Sequence, residues 1–272
     1  MQVDILEFVL PVENNKTLFV WDIQPNHGHA QIHLELSALF SSFGPLYLLK
    51  VSPNAPLQPL GFYAIVKFYS AAQAERAQRE TDGRTLLHSS TLKVRLSTKK
   101  LPHFLSGCSR PLNHARCLEL ANHCLGFNGW TSDIIMVKDL PPEDEEVVGE
   151  DEGAEPQWRR RLRIGCVLRL CFPQHGRSTK GVSVMEDEAV CSGPEDFLQR
   201  RCRLQRLVRE NALVQAFSNV LLILLGNGKV MVELKHNDLN ADDQTEEVLQ
   251  VNEFSVPDEE PDDEDFLDLT VS

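Results

Sequence analysis

Apolar and polar positions alternate with the period of a strand in two stretches of the first hundred residues. In Gly61–Phe68, reading GFYAIVKF, Phe62, Ala64, Val66 and Phe68 fall on one side, and Gly61, Tyr63, Ile65 and Lys67 on the other. This is the pattern of a half-buried β-strand with an apolar inner face. Lys16–Ile23, KTLFVWDI, repeats it, with Leu18 and Val20 inward, Ile23 a further core candidate, and Phe19 and Trp21 outward. Between them, Gln31–Phe43 places Leu34, Leu39, Phe40 and Phe43 at helical spacing, and Gly44 can close the helix. Leu46–Val51 reads as a strand and Ser52–Leu60, with three prolines, as a loop. Ser70 with Gln73 makes a capping box for a helix through about Glu80, and Asp82-Gly83 makes a turn. Leu92, Val94 and Leu96 alternate with Lys93 and Arg95 in a last strand. Across about 16–98 the order is β-α-β-β-α-β, the ferredoxin-like arrangement, with 1–15 a short lead-in.

The pattern then changes. Residues 99–112, with Lys99, Lys100 and two prolines, read as a connector. Asn113 can cap a helix whose apolar face is Cys117, Leu118, Ala121, Cys124 and Leu125, closed by Gly126. Phe127-Asn128-Gly129-Trp130 turns the chain into a strand at Ile134–Val137. An acidic loop occupies 141–156. Arg159, Arg160, Arg161 and Arg163 then lead into a strand over Ile164–Phe172, and Gly181–Met185 pairs back on it as a hairpin. Ser192 with Glu195 is a second capping box, for a long helix to about Leu225. Its buried positions are Leu204, Leu207, Leu213, Phe217, Val220, Leu221 and Leu224. Residues 113–237 thus read helix-β-β-β-helix, 238–272 as a disordered acidic tail, and the whole chain as α+β.

Charge sharpens this division. The formal net charge is −13, yet 139–155 carry 9 Asp/Glu and 238–272 carry 14, with no Lys or Arg in either. Setting those acids aside leaves +10, so the parts expected to fold are basic, which suits a polyanionic partner. No apolar run reaches the ~18 residues of a membrane span, so no membrane partner is expected. The acidic start lacks the basic region of a secretory signal. Seven cysteines without regular spacing point to a reducing compartment and free thiols.

Gly61–Phe68 resembles the first ribonucleoprotein motif of the RNA-recognition-motif (RRM) family, and Lys16–Ile23 resembles the second, with Phe19 at the stacking position. The resemblance implies an outward nucleic-acid-binding face of Phe19, Trp21, Tyr63, Ile65, Lys67, Lys93 and Arg95. Each base stacked there contributes about 1–3 kcal/mol. Two positions depart from the motif. Gly61 stands where a basic residue is usual and Ile65 where a second aromatic is usual, so weak, sequence-tolerant binding is expected. Arg116–Leu140, RCLELANHCLGFNGWTSDIIMVKDL, resembles a signature of the Rad fifty-two family of single-strand annealing proteins. An RRM followed by that signature is the layout of the Rad fifty-two motif-containing proteins. That resemblance implies binding to single-stranded DNA, to double-stranded or distorted DNA and to RNA. It further implies a part in repair, recombination or the response to lesions such as cisplatin adducts, homo-oligomers, and a place in nucleus and cytoplasm, with the nucleolus a candidate. The annealing proteins line their DNA groove with a basic pair on the long helix, where this chain has Val214 and Gln215.

Several readings stay open at this level. Gly129 and Trp130 suit a turn and a core as well as a binding site. Arg159, Arg160, Arg161 and Arg163 suit phosphates or a solvated run. Arg200, Arg201, Arg203, Arg206 and Arg209 suit a solvated helix face. Cys108, His114, Cys117, His123 and Cys124 include no CxxC, so no metal site and no cofactor is expected. No catalytic constellation stands out, and a non-enzymatic protein is expected. An RNA-binding protein of RNA metabolism and a protein-interaction adaptor are the alternatives. The apolar residues Phe266, Leu267, Leu269 and Val271 among the tail acids suit a docking motif for a protein partner.

Overall fold

A computed structural model describes residues 3–55, 59–86, 90–98, 110–141, 158–191, 194–226 and 228–235. The connector over 99–109, the acidic loop from 142 on, Ser192 and the tail lie outside the described residues. In chain order the elements are β1 (Val3–Glu7), β2 (Thr17–Ile23), α1 (His29–Ser41), β3 (Leu46–Pro53), β4 (Phe62–Phe68) and α2 (Ala71–Thr81). There follow β5 (Thr85–Leu86), β6 (Ser90–Thr91), β7 (Lys93–Leu96), α3 (His114–Leu125) and β8 (Thr131–Leu140). The last are β9 (Trp158–Phe172), β10 (Arg177–Cys191), α4 (Pro194–Ser218), β11 (Val220–Leu225) and β12 (Val230–Leu234).

The first fold is the expected RRM. Its antiparallel sheet has the order β3-β4-β2-β7. Leu18, Val20, Ala64, Val66, Phe68 and Val94 point to one face and meet Ile32, Leu36, Phe40, Ala74 and Ala77 of the two helices in one core. The Ser70 hydroxyl accepts from the Gln73 amide at 3.3 Å, so the predicted cap starts α2. The inner stripe of α1 differs from the expected one. It runs Ile32, Leu36, Phe40 in steps of four, which leaves Leu34 68% exposed on the far side.

The second fold places β8, β9 and β10 in one antiparallel sheet, order β10-β9-β8, with α4 packed across it. A Cβ at Gly181 would collide with the Ala212 carbonyl, so that glycine sets how closely β10 approaches the helix. The Asn113 side chain accepts from the Arg116 amide at 2.9 Å and starts α3, and Gly126, at φ 76°, ends it. The helix-β-β-β-helix order holds, with one correction. The helix stops at Ser218, and Val220–Leu225 is a strand between β1 and β12 rather than the last turns of α4. A short, wholly apolar run carries no periodicity to separate the two, and its burial between two partners decides for strand.

The supposed lead-in is also corrected. β1 is antiparallel to β11, with Ile5 opposite Ile223. Leu6 and Phe8 are buried in the second fold's core, where the Phe8 ring stacks on Phe217 at 4.7 Å. The Leu112 amide donates to the Phe8 carbonyl, the Leu10 amide donates to Arg110, and Lys235 reaches Glu7 at 2.8 Å. The chain therefore begins in the second fold, leaves it to build the RRM, and returns. Phe8→Ala is expected to cost about 3–5 kcal/mol of folding stability. Ile5→Ala, at a site 57% exposed, is expected to cost under about 1 kcal/mol. Denaturant unfolding of both variants checks the pair; equal losses would refute a core role for the N-terminal strand.

Candidate nucleic-acid interface

Pairing of β2 with β4 and β7 builds the outward face. Phe19 lies opposite Ile65 on one side and Arg95 on the other, and Trp21 lies opposite Lys93. Phe19 and Trp21 stack at 5.7 Å and 24°, and Tyr63 lies 5.6 Å from Phe19, so the three rings form one row. The Arg95 guanidinium lies 5.6 Å from the Phe19 centroid and 5.2 Å from that of Trp21, within cation–π range of both. Lys93 pairs with Asp22 at 3.2 Å.

Asp22 explains why the row ends where it does. Strict alternation would turn its carboxylate into the core after Leu18 and Val20. Instead Asp22 adopts φ 66°, a left-handed conformation that Asp tolerates, within a register shift between Val20 and Ile23. Ile23 then takes the core position and Asp22 stays within reach of Lys93. Gly61 faces this irregularity: a Cβ there would lie 2.8 Å from the Ile23 carbonyl oxygen. The bare backbone at Gly61 thus accommodates the protein's own strand end, not an approaching ligand.

Two candidates behave differently from the rings. Ile65 points outward by register but is only 7% exposed, so it is packed beneath its neighbours and offers no contact surface. Lys67 is half-buried, and that burial pushes its ammonium below its ordinary pKa, while the field of Glu13 acts the other way. Its Nζ lies 6.0 Å from the centroid of Tyr47, a residue the sequence reading did not single out. A register shift between Leu46 and Leu48 breaks the alternation of β3, which hid the placement of Tyr47.

In the second fold, Trp130 donates from its indole N–H to the Asn122 side chain at 2.9 Å and meets Phe217 edge-on at 5.4 Å. A Cβ at Gly129 would collide with the Leu125 carbonyl. Both residues therefore fix the turn, whereas Phe127 beside them is 84% exposed. Arg159, Arg160, Arg161 and Arg163 lie in β9, with Val190, Ala189, Glu188 and Glu186 opposite in register. The acids of β10 thus stand across from part of the basic cluster. The side chains of Arg159, Arg160 and Arg161 lie outside the described residues, and Arg163 is half-buried with partners already. On α4, Arg201 pairs with Asp139 at 2.6 Å, Arg200 with Asp187 at 3.9 Å and Arg206 with Glu210 at 3.7 Å. Val214 belongs to the core, so that position lines no groove.

A family model described as an RNA recognition motif matches residues 33–93, and one described as an RDM1 DSRM domain matches 112–221. RAD52 motif-containing protein 1 of Danio rerio is 46% identical over 99% of this chain and 98% of its own length. The chain belongs to the RAD52 motif-containing protein 1 family. The relatives of that name from Gallus gallus and Homo sapiens are 38% and 35% identical. They are aligned over 98% and 86% of this chain, and over 95% and 82% of their own lengths. With an RRM and a DSRM domain in one chain, this member of the family is a nucleic-acid-binding protein of a DNA-repair-related group. The DSRM match runs from just before α3 to the start of β11.

The family's signature helix also carries thiols. Burial pushes the Cys117 and Cys124 thiols up to about 12 and pushes the neighbouring His123 imidazole down. Among the described residues no three His, Cys, Asp or Glu side chains converge on a common point. At pH 8 a thiol of that kind is held almost entirely protonated and so is a poor nucleophile. Iodoacetamide followed by mass spectrometry is therefore expected to modify the exposed Cys202 and to spare Cys117 and Cys124 until the protein is unfolded.

Proposed function

We propose that this protein is a non-enzymatic factor that captures single strands on the RRM sheet and acts in DNA repair or recombination. The response to distorting lesions such as cisplatin adducts is part of the same reading. The carrying observation is the row of Trp21, Phe19 and Tyr63, with the Arg95 guanidinium over the first two rings. Three rings are already aligned, so stacking a base there costs these side chains little further freedom. The second fold adds duplex contact, with Arg159, Arg160 and Arg161 of β9 as its phosphate ligands. Homo-oligomers, a protein partner at the acidic tail and residence in nucleus and cytoplasm complete the proposal.

The face is a general stacking platform, so the sugar decides between DNA and RNA. The test is a salt titration of binding to matched single-stranded DNA and RNA by fluorescence anisotropy. The intact chain, the chain lacking 238–272 and Phe19→Ala/Tyr63→Ala are compared. Affinity is expected to fall steeply with salt and to drop at least about tenfold in the double variant. Comparable DNA and RNA affinities support the repair reading, and a clear RNA preference transfers the protein to RNA metabolism. Undiminished binding by the double variant moves the site to the second fold. Absence of binding to either nucleic acid, with and without the tail, leaves the adaptor role.

A further inference from the structure

Two cations from different folds meet at one ring. Lys67 Nζ, on the RRM sheet, lies 6.0 Å from the Tyr47 centroid, and Arg116 Cζ, on α3, lies 5.3 Å from it. Tyr47 is held in turn by Tyr69, whose ring meets it edge-on at 5.7 Å and 85°. Although Tyr69 directly follows β4, it is buried in the core of the second fold. The ring that both cations share is therefore anchored to both halves of the chain.

The position continues the aromatic row. Lys67 follows Tyr63 by four residues on the same face of β4, about 13 Å further along the strand. That is about the span of two nucleotides of an extended strand. Ile65, between them, is sunk into the sheet. Nucleic acid leaving the Phe19–Tyr63 row along β4 thus meets Lys67 and then Arg116.

The charges favour an anion. Arg116 pairs with Glu119 at 2.7 Å, but that carboxylate is 61% exposed, and exposed pairs contribute little. Glu13, whose field reaches Lys67, pairs with Lys16 at 2.9 Å. A phosphate within reach of both cations at the Tyr47 ring would accept charge-assisted hydrogen bonds from both. Its charge would also relieve their repulsion, and it would offset the burial of Lys67. Both cations lie within cation–π range of the Tyr47 ring.

We infer that Lys67 and Arg116 form a phosphate clamp on Tyr47, which takes the backbone of a single strand leaving the RRM sheet and carries it onto the second fold. The inference rests on the single-strand reading above and adds that one strand spans both folds.

The test measures anisotropy of oligothymidylates of about 4 and about 12 nucleotides with the full-length protein. Arg116→Gln is expected to weaken the longer oligonucleotide about three- to fivefold. It should lower the salt slope by about 0.7 and leave the shorter oligonucleotide within about twofold of wild type. Glu119→Gln, which frees the guanidinium, is expected to tighten the longer one about twofold. A gain of that kind does not arise from misfolding. Wild-type affinity and slope in Arg116→Gln overturn the clamp. So does an equal loss at both lengths, which assigns Arg116 to docking of the folds alone. If wild type binds neither length, the single-strand reading itself has failed. If wild type binds both and only Arg116→Gln is silent, that reading stands and the clamp falls.

Discussion

The pairing of β1 with β11, sealed by Phe8 on Phe217, is the constraint on which the rest of the structure depends. It closes the second fold with residues from the start of the chain, so the RRM is an insertion with both of its ends returning to one body. The β1–β11 contact has long sequence separation, and loop closure opposes it until both strands and the core beneath them form. Once formed, it fixes where the RRM sheet emerges. The edge-on contact of Tyr47 with Tyr69, with Tyr69 in the second core, then holds one end of that sheet against α3.

The outward RRM face is organised before any ligand arrives. Its rings stack on each other, Arg95 covers two of them, and Lys93 is tied to Asp22. Such a face favours weak, sequence-tolerant contact, since its stacking surfaces accept any base and few directed donors are free to read an edge. Ile65 in place of an aromatic removes one stacking surface, and Trp21 extends the row on the other side of Phe19. The acids of the chain are largely concentrated in the segments 139–155 and 238–272 of the sequence. An overall negative charge is therefore compatible with a locally cationic binding track.

In the second fold, the family signature serves two purposes. Trp130 and Gly129 build the turn and seal the core, which accounts for their spacing in the sequence, while Phe127 is left in solvent. Arginines that look like a binding stripe in one dimension are partly matched by acids. Glu186 and Glu188 stand across from Arg163 and Arg161 in the hairpin, and Asp139 and Asp187 reach α4. Pairing of this kind keeps the hairpin and helix in register and leaves less of the cationic charge for a phosphate.

Much of the RRM was legible because its signals are local. Alternation in Gly61–Phe68 and Lys16–Ile23 assigned the inner and outer faces, the Ser70 cap started α2, and Asn113 started α3. Each of these depends on neighbours within a few residues. The errors came where a distant partner decided. VDILE became a strand because β11 lies beside it, VLLILL became a strand because β1 and β12 enclose it, and Ile65 lost its exposure to packing across the sheet. Asp22 and Gly61 follow the same rule, since one left-handed residue shifted the register and the other made room for it. The sequence by itself determined the RRM, its aromatic row and the order of the second fold, because side-chain periodicity and capping are properties of short segments. Only the tertiary structure decided that the first strand belongs to the last sheet and that Lys67 and Arg116 share Tyr47. Those contacts join residues far apart in the chain, and no local pattern carries their pairing.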